Sequence, residues 1–437
     1  MSTVLVLCPS HRDYRELAAL EAARRHRILF HEYASIELER MVAPSPELEP
    51  VRDALEEVDC ILARFSAGGL DAVVSTDDYP GSTLASIVAE RLGLPGVPAR
   101  ANLLCQHKYR ARLLQRAIVP EAVPEFALAD GDAPVVPGFP LFLKPVKSFF
   151  SVGACRVEEA CAYAGALARA RLPEVFFDPL RRLFEHCTGE AFGPGRVLAE
   201  ELLEGVQVTV EGYVFGGHAH VFGIVDSVLF PGSLAFERFE YPSSLPPAVQ
   251  ARMTDIAARV MTGIGFDGGL FNIEMMYDPK HDRIHIIEIN PRMASQFADL
   301  YEKVDGFNPY ELLIDLALGR APRPRRGRGR HRHAASCVLR TFEDCRVARV
   351  PSEEDVAAVL ERHPDARVEI LAEPGRRLSE EMQDGESYRY GLVSLGGADR
   401  EDILRAFAAC ERRLGFVLEP AGVRADGPSA GLGGVAV

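Results

Sequence analysis

Three segments between residues 196 and 230, RVLAEELL, VQVTVEGYVF and HAHVFGIVDSVLF, place the strongest constraint on the fold. Their apolar and polar side chains alternate with a period of two, which suits strands of an antiparallel sheet with one face covered. A helix over Ala248 to Thr262 comes next. LFNIEMMYD and RIHIIEIN then read as two further strands, joined by the turn-forming stretch DPKHD.

The flanking regions have another texture. VLVL at residues 4–7, a helical stretch around Arg12 to Arg25, and ILFHEY give strand, helix, strand, and VDCILARF and LDAVVST continue the strands. Parallel strands alternating with helices predict a small doubly wound parallel α/β domain over residues 1–105. Asp77 and Asp78 fall just past a strand's C-terminal end, where open α/β sheets hold ligands; capping a helix over Ser82 to Leu92 is the competing role.

After the strand-rich middle, residues 106–320, the run Arg320 to Arg332 carries seven arginines among Pro and Gly, and residues 321–333 read as an exposed linker. Residues 334–420 alternate short strands with helices, as expected of a small α+β domain. The Gly- and Ala-rich residues 421–437 are expected to be disordered. The fold class is α/β and α+β in three parts.

A chain of 437 residues exceeds one ordinary core and has room for a cleft between domains, where small-molecule sites lie. No stretch approaches the ~18 apolar residues that span a bilayer, and the start lacks the pattern of a secretory signal, so a cytoplasmic location is expected. A net charge of −14 disfavours binding to phosphate backbones, and the arginine run has no aromatics interleaved for base stacking. Nine cysteines, odd in number and without a CxxC pair, argue against a disulfide framework or a zinc knuckle.

Chemistry concentrates on the last two strands. Glu288 and Asn290 are two apart and share a face, and a hairpin through DPKHD would bring Glu274 to the same point. Two carboxylates and an amide oxygen make a hard, all-oxygen site suited to Mg²⁺, with Mn²⁺ as the alternative. Glu288 interrupts an apolar strand, where an uncompensated carboxylate is costly. Arg292, just beyond Pro291, points into the same region and offers a planar fork of donors for a phosphoryl group.

Glu274, followed fourteen residues on by Glu288-Ile289-Asn290-Pro291-Arg292, resembles the metal-binding signature of ATP-grasp ligases. The NPR ending is similar to carbamoyl phosphate synthetase and amino-acid ligase members, and the C-terminal piece is similar to that of biotin carboxylase. The resemblance covers about residues 1–420. It implies that Lys108 and Lys144 hold the α- and β-phosphates of ATP. It also implies that AEELLEG is the hinge reading adenine through Glu200 or Glu201 with Leu203. Gln207 stands where relatives carry an acid for the ribose hydroxyls. The phosphate-covering loop is Lys147-Ser148-Phe149-Phe150-Ser151-Val152-Gly153, poorer in glycine than the usual family loop, so closure would rest on Lys147 and on the phenylalanines excluding water.

The activity the resemblance implies is that of an ATP- and Mg²⁺-dependent ligase. A small-molecule carboxylate would be phosphorylated to an acyl phosphate, stabilised by Arg292 and the lysines, and captured by an amine or a thiol with release of ADP and phosphate. A bicarbonate-activating carboxylase or carbamoyl-phosphate-type enzyme is the first alternative, and a non-catalytic ATP-binding regulatory protein the second. The expected partners are small molecules, with neither nucleic acid nor membrane and with room for a homodimer. Gly263, Gly265 and Gly268 satisfy GxGxxG, but they leave a helix and enter a strand, the reverse of a dinucleotide fold.

Overall fold

The computed structural model describes residues 1–33, 53–65, 68–129, 138–148, 151–172, 174–193, 195–380 and 386–420. The expected disordered tail, and Phe149 and Phe150 of the expected phosphate loop, lie outside the described residues.

The chain opens with β1 (Thr3–Leu7), α1 (His11–Ala19), α2 (Glu21–Arg24), β2 (Arg27–His31), α3 (Ala54–Phe65), β3 (Ala72–Val74), α4 (Gly81–Leu92) and α5 (Ala99–Gln106). The three strands pair in parallel in the order β2-β1-β3. Alternation along β1 produces the double winding. Val4 and Val6 pack with Leu17 and Leu20, whereas Leu5 and Leu7 pack with Val58 and Ile61 of α3 and Leu84 and Val88 of α4.

Two expectations are corrected here. VDCILARF is not a strand but lies in α3, with Ala54, Val58 and Ile61 buried at helical spacing. The single helix expected over Arg12 to Arg25 breaks at Leu20, whose backbone is extended.

α6 (Lys108–Ile118), β4 (Phe126–Leu128), β5 (Leu141–Pro145), β6 (Cys155–Val157), α7 (Ala160–Ala170), α8 (Glu174–Thr188) and β7 (Val197–Glu201) follow. Their strands form an antiparallel sheet ordered β4-β7-β5-β6. Leu141, Leu143, Val197 and Ala199 pack on Tyr163, Ala166 and Leu167 of α7. Alternation puts Lys144 and Glu200 on the opposite face.

The largest sheet uses β8 (Val206–Phe215), β9 (His218–Leu229) and β10 (Phe236–Tyr241), and, after α9 (Pro247–Ile264), β11 (Gly269–Asp278) and β12 (Arg283–Asn290). The chain then runs through α10 (Ala298–Val304), α11 (Pro309–Ala317), β13 (His333–Thr341), β14 (Cys345–Arg349), α12 (Glu353–Arg362), β15 (Arg367–Ile370), β16 (Tyr388–Gly397), α13 (Arg400–Leu414) and β17 (Val417–Pro420). The sheet order is β12-β11-β8-β9-β10-β13-β16-β15. Because Tyr241 pairs with Ala334 and Arg238 with Cys337, the C-terminal strands continue the middle sheet. One face of that sheet is apolar: Val208, Val210, Ile273, Met275 and Ile289 cluster with Met253, Ile256 and Val260 of α9.

The arginine-rich stretch has neither helix nor strand, yet it is fastened down. Arg326 reaches Asp305 at 3.3 Å and the Tyr241 hydroxyl at 3.0 Å, and the His331 N–H donates to the Lys303 carbonyl at 3.0 Å. The GxGxxG glycines do leave a helix and enter a strand. Gly265, at φ 80°, terminates α9, and Gly268, at φ 65°, precedes β11.

Candidate active site

The face of the large sheet opposite α9 is polar. Register sets Asn272 against Asn290 and Glu274 against Glu288 across β11 and β12, and sets Glu211 against Asn272 and Thr209 against Glu274 across β8. Glu274, Glu288 and Asn290, expected to converge, therefore share one surface. Gln207 joins them and donates to Glu274 at 3.0 Å. A chain of amides continues inward. The Asn290 Nδ2 donates to Asn272 Oδ1 at 3.2 Å, and the Asn272 Nδ2 donates to Glu211 Oε1 at 3.3 Å, which also accepts the Ala294 N–H at 2.7 Å. This fixes the Asn290 amide nitrogen and leaves its oxygen as the atom for the site.

The two opposed carboxylates differ in charge balance. Lys108, at the start of α6, lies 3.0 Å from Glu288. Burial alone would raise the Glu288 carboxyl, but Lys108, then Lys144 and Lys147, hold it below the usual range. Burial, then the charge of Glu288, pushes Glu274 up to about 7. Burial likewise pushes Glu211 up to about 7.

A β-bulge between the Glu274–Glu288 and Met275–Ile286 pairs isolates Ile287, whose carbonyl accepts Lys144 Nζ at 3.2 Å and Arg112 Nη2 at 2.9 Å. The same two cations hold Glu200, Lys144 at 2.6 Å and Arg112 at 2.5 Å. Burial opposes ionisation of Glu200, yet the two cations bring its carboxyl down to about 2. The cluster thus joins the small sheet to the edge of the large one. Glu201 points the other way. Its Oε1 accepts the Glu125 N–H at 3.1 Å and lies 3.8 Å from His285, beside a cavity of about 830 Å³. Leu203 is half-buried in the connection between β7 and β8.

Asp77 and Asp78 divide the two roles the sequence left open. Asp77 caps α4, accepting the Gly81 N–H at 2.7 Å, and burial pushes its carboxyl up to about 6. Asp78 reaches the site, with Oδ2 2.5 Å from Lys147 and Oδ1 3.7 Å from Arg292. Lys147 also donates to Gln106. The expected phosphate-loop lysine is thus held by the N-terminal region.

Sequence reading missed Arg112, Asn272 and Glu211. Arg112 sits one turn beyond Lys108 on α6, and Glu211 follows Gln207 and Thr209 at strand spacing, so periodicity carried a signal for both. Among the described residues no three His, Cys, Asp or Glu side chains form a metal-binding group; the set here is two carboxylates and an amide. That donor set is all oxygen and acidic, and among the described residues the hydrogen-bond partner of Glu274 is a neutral amide. It fits a hard divalent cation.

The cleft thus has cations and carboxylates contributed from facing sides by the region of the small antiparallel sheet and by the large one. Residues 137–299 match the family model of the ATP-grasp domain. Carnosine synthase 1 of Gallus gallus is 29% identical over 330 residues, which cover 69% of this chain and 34% of that protein. The chain thus matches about a third of that relative's length. D-alanine–D-alanine ligase of Bordetella petrii is 27% identical over 277 residues, 58% of this chain and 77% of that one. The crystal structure of L-amino acid ligase from Bacillus licheniformis superposes with a TM-score of 0.72 at 16% identity, covering 95% of this chain and 98% of that chain. Among the described residues no helix is long and apolar enough to cross a membrane.

Proposed function

We propose that the chain is an ATP-dependent ligase that phosphorylates a substrate carboxylate and couples the acyl phosphate to an amine, releasing ADP and phosphate. The observation that carries this reading is the opposition of Glu274 and Glu288 beside Asn290, facing Lys108, Lys144 and Lys147. Glu274, Glu288 and Asn290 would hold Mg²⁺, which when bound neutralises phosphate charge during transfer. Lys108 and Lys144 stand beside these acids and supply fixed positive charge for a polyphosphate. Glu200 keeps Lys144 and Arg112 in place, so little reorganisation is needed when the phosphates arrive. Arg292, 3.7 Å from Asp78, would offer its guanidinium to the carboxylate and to the transferred phosphoryl group. Asp78 holds Lys147 and Arg292 on the N-terminal side, so an anionic substrate entering there exchanges one carboxylate partner for another. Kinship with a carnosine synthase and a D-alanine–D-alanine ligase supports amide formation over carboxylation.

The test is a coupled ADP-release screen with Mg·ATP across acids and amines, with bicarbonate in parallel. ADP release that requires both an acid and an amine is the expected result. Release with bicarbonate alone would favour a carboxylase, and no release with any pair would overturn the ligase reading.

A further inference from the structure

Arg292 has a second neighbourhood. A cavity of about 50 Å³ opens where the N-terminal sheet meets the first residues of β11, lined by Ser75, Ser82, Ser86, Asn102, Gly269 and, at one end, Arg292. Among the described residues, Arg292 is the one charged residue in its lining. Asn102, on α5, is 1% exposed, and its Oδ1 accepts the Thr83 hydroxyl at 3.0 Å while its Nδ2 has no partner among the described residues. Turning the amide over would leave the oxygen unpaired instead, so either way a buried polar atom is left unsatisfied, which proteins rarely tolerate. Ser75 donates its hydroxyl to the Leu7 carbonyl at 2.8 Å and Ser86 to the Ser82 carbonyl at 2.9 Å. The Ser75 oxygen already accepts the Asp77 N–H at 3.1 Å, which leaves the Ser86 hydroxyl oxygen in the lining as the freer acceptor. A glycine at 269 keeps the cavity edge clear, since a Cβ there would lie 2.2 Å from Val97.

Size sets a limit. One water needs roughly 10–15 Å³ of such volume, so the space takes about three or four non-hydrogen atoms. Charge sets another, because no carboxylate lines the cavity to balance a cation, and a second anion would find Arg292, the one cation in the described lining, already engaged by the reacting carboxylate. We propose that this cavity is the subsite for the tail of the acid substrate. The carboxylate to be phosphorylated lies on Arg292, and a short, uncharged tail with a hydroxyl or amide enters the cavity and meets Asn102. This assignment rests on the ligase reading and narrows it to small acids with neutral polar tails.

The test uses the full chain with Mg·ATP, and hydroxylamine to trap the acyl phosphate. Probe acids are 3-hydroxypropionate and malonamate, compared with malonate, which carries a second charge, and with phenylacetate, which is too large. The two neutral short acids should give at least tenfold higher kcat/KM than either comparator. Asn102→Leu removes the unsatisfied amide at similar volume. Because it also takes the acceptor from the buried Thr83 hydroxyl, it should melt a few degrees lower, raise KM for the short acids about tenfold, and leave KM for ATP within twofold. Ser86→Val, which narrows the cavity, should raise KM for malonamate more than for 3-hydroxypropionate. If Asn102→Leu leaves the acid KM unchanged, or malonate or phenylacetate turns over as well as malonamate, the cavity holds water only and the subsite is overturned while the ligase reading stands. If no acid gives hydroxamate and Mg·ATP gives no thermal shift, the ligase reading falls first and the subsite with it.

Discussion

Glu274 and Glu288 stand directly opposite each other on adjacent strands, but among the described residues Glu288 has the ammonium of Lys108 at 3.0 Å while Glu274 has the neutral amide of Gln207 at 3.0 Å. The pair is therefore held at a cost to folding, and that cost depends on pH. Burial, then the charge of Glu288, raises the folded Glu274 carboxyl to about 7 from the usual 4.5. The folded state thus binds the proton more tightly than the unfolded one, and stability falls as pH rises from about 4.5 through 7. Glu274→Gln should gain on the order of 1–3 kcal/mol in urea unfolding at pH 8 in chelator, and almost nothing at pH 4.5. ADP release by the same variant should drop at least about 100-fold.

Glu200 and Glu201 are neighbours in sequence with opposite surroundings. Glu200→Gln strips the charge that balances two buried cations, Arg112 and Lys144, and should cost about 3–5 kcal/mol in chemical denaturation. Glu201→Gln, which touches one backbone N–H and a distant histidine, should cost less than about 1 kcal/mol. Equal losses from the two would mean that the ion cluster does not secure the small sheet.

The hairpin that carries Glu274, Glu288 and Asn290 was legible because strand alternation and a turn sequence are local. The shared face follows from the period of two. Lys108 and Lys144 were legible only by resemblance, since nothing local says that a helix start and a strand end meet across a cleft. Periodicity misread VDCILARF, where a short apolar run fits a strand as well as the helix it forms. Asp78 was out of reach for another reason. Its role depends on Lys147 and Arg292, which arrive from 69 and 214 residues further along the chain, and only the packed domains bring them together. The fastening of the arginine-rich stretch was equally hidden, because Pro, Gly and Arg read as solvated linker whether or not a buried acid such as Asp305 waits for one of the arginines.

That stretch supplies a further contrast. A Cβ on Gly329 would come within 2.3 Å of the Lys303 carbonyl oxygen and of the Val304 backbone. Gly329→Ala should therefore destabilise by about 2 kcal/mol or more, read as a lower thermal midpoint. Arg325→Ser, at an exposed position nearby, should change stability by less than about 0.5 kcal/mol and leave ADP release unaltered.

His107 precedes Lys108 and is buried against Phe184 and Phe192, with Nε2 3.2 Å from the Phe192 carbonyl. Burial lowers its pKa to about 4 from the usual 6.5. Since the folded value is depressed, the unfolded chain binds the proton first, and stability present above pH 6.5 is lost as pH falls from 6.5 towards 4. The loss should reach about 3 kcal/mol at its largest. In His107→Gln the dependence of urea midpoint on pH over that range should flatten, and an unchanged slope would show that other groups control it.

The metal-site assignment is tested most directly by titrating ATP calorimetrically into the wild-type chain and into Glu288→Gln, each with Mg²⁺ and with chelator in its place, alongside their melting curves. The wild-type chain should bind ATP with a strong Mg²⁺ dependence. Glu288→Gln should melt within about 3 °C of wild type, since its pair with Lys108 is partly exposed, yet lose most of that Mg²⁺ dependence. Unchanged Mg²⁺-dependent binding in the variant would contradict the assignment, leaving Glu288 as the structural partner of Lys108 and placing the metal elsewhere.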